Sequence, residues 1–160
     1  MKKTFTHVDR AGRLRMVDVS RKKTTRRTAE ASCAVVTSYD VASLPPDPQG
    51  IDALHAARLA GIQAAKATAT LIPLCHPLNL DDVHVELTPS ARGLEITATV
   101  VTVHHTGVEM EALTACAVAG LSLLDALHDV DPAATMEDLG LQRKSGGRSG
   151  DWGRLVEPHG

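Results

Sequence analysis

The sequence predicts an α+β fold, an antiparallel sheet with two helices packed on one of its faces. Three observations carry this. Residues 83–88 and 94–103 alternate apolar and polar side chains around a turn from Pro89 to Gly93, the pattern of a half-buried hairpin. Residues 51–70 and 108–128 have the length and composition of helices, and each stands between extended segments. The resulting order, β-α-β-β-α-β, is the split β-α-β arrangement called ferredoxin-like, in which both helices lie on the same side of the sheet. The alternation in the hairpin leaves the other face solvated, or covered by another subunit.

Taken in order, residues 1–20 are polar without sustained periodicity, and 13–20 have the pattern of a short extended arm. Residues 29–38 read as the first strand. Residues 44–50 are a loop, because Pro45, Pro46, Pro48 and Gly50 forbid regular structure. In the first helix Ile51, Leu54, Arg58, Leu59, Ile62, Ala65 and Ala69 make one face, with Arg58 and Lys66 near its edges. Residues 71–80 are apolar but broken by Pro73 and Pro77, so they form neither a regular helix nor a central strand. The second helix stops at Asp131-Pro132, residues 136–144 read as a last strand, and 145–160 form a glycine-rich polar tail.

The second helix organises the rest. Glu109 and Glu111 occupy its first turn, where exposed amides and the helix dipole favour carboxylates. From there to Asp125 it carries no charge. A helix apolar on nearly every side is expected to be buried on nearly every side. Ala, Gly, Ser and Cys crowd its middle, so neighbouring backbones can come close. Glu111 and Asp125 are separated by roughly 21 Å at 1.5 Å per residue. A site using both ends is therefore easier to build from two subunits than inside one.

The 160 residues fit one domain, spanning 1–160, with enough chain to bury a core without disulfides or metal staples. Phe5, Tyr39 and Trp152 are the aromatic residues, and two of them lie in peripheral segments. The core must then be aliphatic and small, which suggests that oligomerisation supplies part of the burial. A net charge of −2 argues against a nucleic-acid binder despite basic clusters at 21–27 and 143–148. Cys33, Cys75 and Cys116 are odd in number and lack CxxC spacing, so reduced thiols in a cytoplasmic protein are expected. No signal peptide is evident, and the apolar run of the second helix falls short of the ~20 residues of a membrane span.

Several groups could carry chemistry. Cys75-His76 lies between two prolines: either a packed turn, or an imidazole and thiol held rigidly at a pocket wall. A metal site there would need His104 or His105 brought close by the fold. The segment 144–150, with Lys144 and Arg148, can bend toward an anion or be a solvated tail, and it is not a Walker loop. Arg26, Arg27, Arg58 and Lys66 are surface charges or anion ligands. Asp125 and His128 share one helix face and suit acid–base work, or they are an ordinary helix C-terminus.

Five blocks in the same order resemble the cyclic pyranopterin monophosphate synthase (MoaC) family. They are Met16-Val17-Asp18-Val19-Ser20, Ala57-Arg58-Leu59-Ala60-Gly61-Ile62-Gln63-Ala64-Ala65-Lys66, Leu71-Ile72-Pro73-Leu74-Cys75-His76-Pro77-Leu78, Thr106-Gly107-Val108-Glu109-Met110-Glu111-Ala112-Leu113-Thr114-Ala115 and Lys144-Ser145-Gly146-Gly147-Arg148-Ser149-Gly150. The resemblance implies conversion of 3′,8-cyclo-7,8-dihydroguanosine triphosphate into cyclic pyranopterin monophosphate and pyrophosphate, in molybdenum-cofactor biosynthesis. It implies a ferredoxin-like fold and a homohexamer, a trimer of dimers, with the site at the dimer interface. No metal, cofactor, nucleic acid or membrane is implied. Position by position, Leu74, Cys75, His76, Glu109, Met110 and Glu111 match substrate contacts, and Arg27, Lys66 and Lys144 match basic residues near the triphosphate or the reacting base. Asp125 matches the catalytic aspartate, joined by His128 and Lys144.

Two positions depart from the family. It carries a lysine where this chain has His128, and a Lys-Gly-Asp segment where this chain reads Gln49-Gly50-Ile51-Asp52. Two functions are therefore expected to compete: the synthase, and a non-catalytic homologue binding a guanine nucleotide or pterin as scaffold or sensor. The retained acidic, thiol and imidazole positions favour the enzyme.

Overall fold

The computed structural model describes residues 7–9, 11–46 and 48–154. Phe5 and the first six residues of the expected arm lie outside these. The elements are β1 (Thr25–Val36), α1 (Ala53–Leu71), β2 (Asp82–Ser90), β3 (Gly93–His104), α2 (Glu109–Leu127), β4 (Thr135–Ser145) and β5 (Trp152–Gly153), with a short 3-10 turn at Val41–Ser43. The strands form one antiparallel sheet in the order β2-β3-β1-β4-β5. Its first four members have the split β-α-β connectivity read from the sequence.

The period-2 pattern sets which side of the sheet is covered. Ala29, Ala31, Cys33 and Val35 of β1 are buried, as are Leu94, Ile96, Ala98 and Val100 of β3, all in the core cluster with α2. Ile96, Leu123 and Leu127 are among the largest fully buried side chains, each contributing about 2 kcal/mol by area removed from water. At the hairpin turn Gly93 has φ 135°, and a Cβ there would strike the Val35 carbonyl. Glycine is what lets β2 and β3 turn against the end of β1. Asp52 caps α1, its Oδ1 accepting from the His55 amide at 2.8 Å.

The expected face of α1 is rotated. Leu59 is 55% exposed and Ile51 42%, whereas Ala57, Gly61, Ala64, Ala65 and Thr68 are buried. Closeness, rather than side-chain bulk, selects the contact. A Cβ on Gly61 would lie 2.9 Å from the Ala115 carbonyl oxygen and 3.2 Å from the Ala119 Cβ, so the small stripes of α1 and α2 meet nearly backbone to backbone. Leu59 points away, while Leu54 and Ile62 pack half-buried at the edge of the core.

The expectation that α2 is buried on nearly every side also needs correcting. Ala112, Ala115, Cys116, Ala119, Leu123 and Leu127 are wholly buried, but Leu121 is 54% exposed and Met110 36%. Within one chain α2 has the sheet beneath and α1 beside it, and one flank stays open. Its 19 residues are long and apolar enough to cross a membrane by length and composition alone. In the structure, however, it lies against the sheet as a core helix.

Residues 13–20 form no strand; the contact there is a single bridge between Val8 and Leu14. Within the glycine-rich tail, β5 pairs with β4, Trp152 standing opposite Lys144.

Candidate active site

α1 ends where Ile72 donates its amide to the Thr68 carbonyl. Pro73 and Pro77 then prevent the helix from continuing. The chain turns back through Cys75, whose amide bonds the Ile72 carbonyl at 3.1 Å. This turn forms one wall of a cleft of 640 Å³. Ile72, Leu74, Cys75 and His76 line that wall, Thr106, Gly107, Glu109, Met110 and Glu111 the facing one, and Val17, Val19 and Lys22 a third side. The Pro-bracketed Cys-His pair is therefore a pocket wall as well as a turn.

The acidic end of the cleft is built by the start of α2. Gly107 leaves room for the Glu109 carboxylate to fold back, since a Cβ at 107 would collide with it. There Glu109 Oε1 accepts from Lys144 Nζ at 2.9 Å, joining β4 to α2. Glu111 is only 4% exposed, and among the described residues no cation is one of the groups acting on its charge. Burial, and then the neighbouring Glu109 charge, push its carboxyl up to about 7, against the smaller opposing effect of its own backbone amide. It can thus hold or release a proton near neutral pH. The Cys75 thiol is pushed above its usual range, first by burial and then by Glu111.

Arg27, on β1, does not line the cleft and is tied to the turn after β3. Its Nη2 donates to the His105 carbonyl at 3.2 Å, and its guanidinium lies where a Cβ on Gly147 would be. The glycines of the 144–150 segment therefore let that loop sit directly on β1; Gly146, at φ 87°, packs likewise on the Arg26 carbonyl.

The structure thus gathers Leu74, Cys75, His76, Glu109, Met110 and Glu111 around one cleft, with Lys144 bound to it through Glu109. It does not bring in Asp125, His128 or Lys66. All three are exposed, and Asp125 stands fourteen residues along α2 from Glu111, about 21 Å away by helix rise. Arg58 is a structural tie: its Nε donates to the Val85 carbonyl at 3.1 Å, holding α1 to β2. Among the described residues no group of three His, Cys, Asp or Glu side chains converges as metal ligands. Sequence reasoning missed Lys22, which belongs to the basic run 21–27 and so carried a signal of charge without one of position.

A cleft of this size, with a buried carboxyl, a thiol, an imidazole and a lysine–glutamate pair, defines a small-molecule site equipped for proton transfer. The chain belongs to the MoaC family, whose sequence model matches residues 16–147. Similar proteins include one from Streptomyces avermitilis named cyclic pyranopterin monophosphate synthase, 51% identical over 153 residues that cover 94% of this chain and 89% of its own. A protein of the same name from a Nocardioides species is 51% identical, covering 94% of this chain and 95% of its own. Cyclic pyranopterin monophosphate synthase 2 of Mycobacterium tuberculosis is 49% identical, covering 94% and 91%. These names favour the enzyme over the non-catalytic homologue.

Proposed function

We propose that this chain is a cyclic pyranopterin monophosphate synthase of molybdenum-cofactor biosynthesis, a lyase acting on 3′,8-cyclo-7,8-dihydroguanosine triphosphate. The observation that carries this is the cleft itself, with Glu111 buried beside Cys75 and the cationic Lys22 and imidazole His76 also on its lining. A ligand with a polar heterocycle and a phosphate chain needs such an arrangement. The heterocycle meets groups that give and take protons, and the phosphates meet cations.

Glu111, Glu109, Met110, Leu74, Cys75 and His76 contact the substrate, with Arg27 near its phosphates and Lys66, which lies outside this cleft, serving the phosphates in a second copy. Asp125, His128 and Lys144 carry the proton transfers. Because Asp125 and His128 stand at the far end of α2, they serve the cleft of a second copy, within a homohexamer arranged as a trimer of dimers. The open flank of α2, with Leu121 and Met110 exposed, supports burial against another subunit. Free Cys33, Cys75 and Cys116 support a reducing, cytoplasmic setting.

The test is anaerobic turnover of the cyclised dihydro-GTP precursor, following pyrophosphate and the pterin together. Equal release of both is expected. Tight precursor binding without either product would replace the synthase by a nucleotide-binding homologue.

A further inference from the structure

Beside His76, on the lining of the cleft, the end of β3, the turn after it and β1 bring further imidazole and guanidinium groups together. His104 closes β3, opposite Thr25 of β1. The groups acting on it electrostatically are His105 from the adjoining turn, His76 from the Pro-bracketed loop and Arg27 from β1, and none of them is acidic. Among the described residues, Nδ1 of His104, Nε of Arg27 and Oγ1 of Thr25 are shielded from solvent and have no hydrogen-bond partner. Buried polar atoms left unpaired cost free energy, and both Arg27 and His76, the latter on the cleft lining, are close enough to His104 to act on its charge. His105 is held otherwise: its Nδ1 bonds the Lys22 carbonyl, and its ring packs edge-on against His104 with centroids 5.1 Å apart.

A guanidinium among three imidazoles, with no carboxylate among the groups acting on His104, is a setting that suits an anion. We propose that His104 is a further binding residue for the polyphosphate end of the ligand, acting with Arg27 and His76 and taking up a proton as the anion seats. This rests on the synthase reading for the ligand's identity, while its chemistry requires only a phosphate chain or the pyrophosphate released from it. Burial, followed by the positive charge of His105, His76 and Arg27, holds His104 below the ordinary imidazole range in the empty site. A multiply charged anion reverses the sign of that field, so the imidazolium form becomes the favoured one. Binding through His104 is then tightest at low pH and weakens as pH rises.

The experiment is calorimetric titration of the whole protein with inorganic pyrophosphate and tripolyphosphate, in two buffers of different ionisation heat, from about pH 6 to about pH 8. Pyrophosphate and other histidines also titrate in this range, so the comparison of wild type with His104→Gln is decisive. Wild type is expected to take up as much as about one proton more than His104→Gln, and to bind about tenfold more tightly at the acid end, the difference closing at the alkaline end. His104→Arg should keep the affinity and lose the His104-linked uptake, and His105→Gln should retain both. Equal uptake by wild type and His104→Gln overturns the proposal, as does failure of wild type to bind either anion. Turnover separates the two readings. Activity without His104-linked uptake removes the anion seat alone, and His104-linked uptake without pterin formation removes the synthase reading alone.

Discussion

Nζ of Lys144 lies 2.9 Å from Oε1 of Glu109, and that pair ties the last long strand to the first turn of α2 at the mouth of the cleft. Both side chains are less than a third exposed, so the pair holds a definite geometry while contributing little to stability, on the order of 1 kcal/mol. Lys144→Met should therefore cut turnover by about a hundredfold or more and leave the urea midpoint almost unchanged. A large loss of stability would make Lys144 a structural residue instead.

Glu111 gives a stability profile with a defined sign. Its folded carboxyl is raised from 4.5 to about 7, so between those values the folded chain holds a proton that the unfolded chain has lost. Stability falls as pH rises through this window, and the full penalty, about 3 kcal/mol, is present above it. Glu111→Gln removes the penalty. Thermal melts should show the variant more stable than wild type above pH 7 and equal to it below pH 4.5; parallel profiles would mean that Glu111 ionises freely in the fold.

The same carboxyl acts on Cys75, whose thiol is raised first by burial and then by Glu111. Cys33 and Cys116 are buried in the core, and Cys75 is not. Iodoacetamide should label Cys75 ahead of the other two, more slowly than a free thiol, and faster once Glu111 is Gln. Peptide mapping by mass spectrometry reads all three sites. Preferential labelling of Cys33 would contradict the packing described.

Gly61 tests the helix contact. Alanine has the better helix propensity by about 1 kcal/mol, but its Cβ would come within 2.9 Å of a backbone oxygen on α2. Gly61→Ala should destabilise the protein by roughly 1–2 kcal/mol, and Gly61→Val by more. A gain in stability on chemical denaturation would show that α1 and α2 can move apart at no cost.

The hairpin and the last strand were legible from their two-residue period, whereas the first strand, expected over 29–38, runs from Thr25 to Val36 because its start is fixed by pairing with the end of β3. The ends of α2 were legible from Glu109 in the first turn and Pro132 beyond the last. The face of α1 was not. Leu59 and Ile51 look like core by hydrophobicity yet are exposed, because the contact is set by how closely Gly61 lets two backbones approach. β5 escaped because two residues, Trp152 and Gly153, have no periodicity; their place is fixed by a partner strand. In the site, Pro73 and Pro77 announced a rigid Cys-His wall. The burial of Glu111 and the convergence of His76, His104 and Arg27 depend on contacts between elements distant in sequence, which spacing does not encode. The separation of Asp125 from Glu111 followed from helix rise alone.

That separation leads to the most direct test of the account. Asp125→Ala and Lys144→Met are each expected to be inactive, since each spoils both sites of a two-fold dimer. After subunit exchange between them, mixed dimers carry one site with both residues intact, and about a quarter of wild-type turnover should return. If activity stays absent although exchange is demonstrated by mass spectrometry, then Asp125 and the Glu109–Lys144 cleft do not act together across two copies, and the proposed site is wrong.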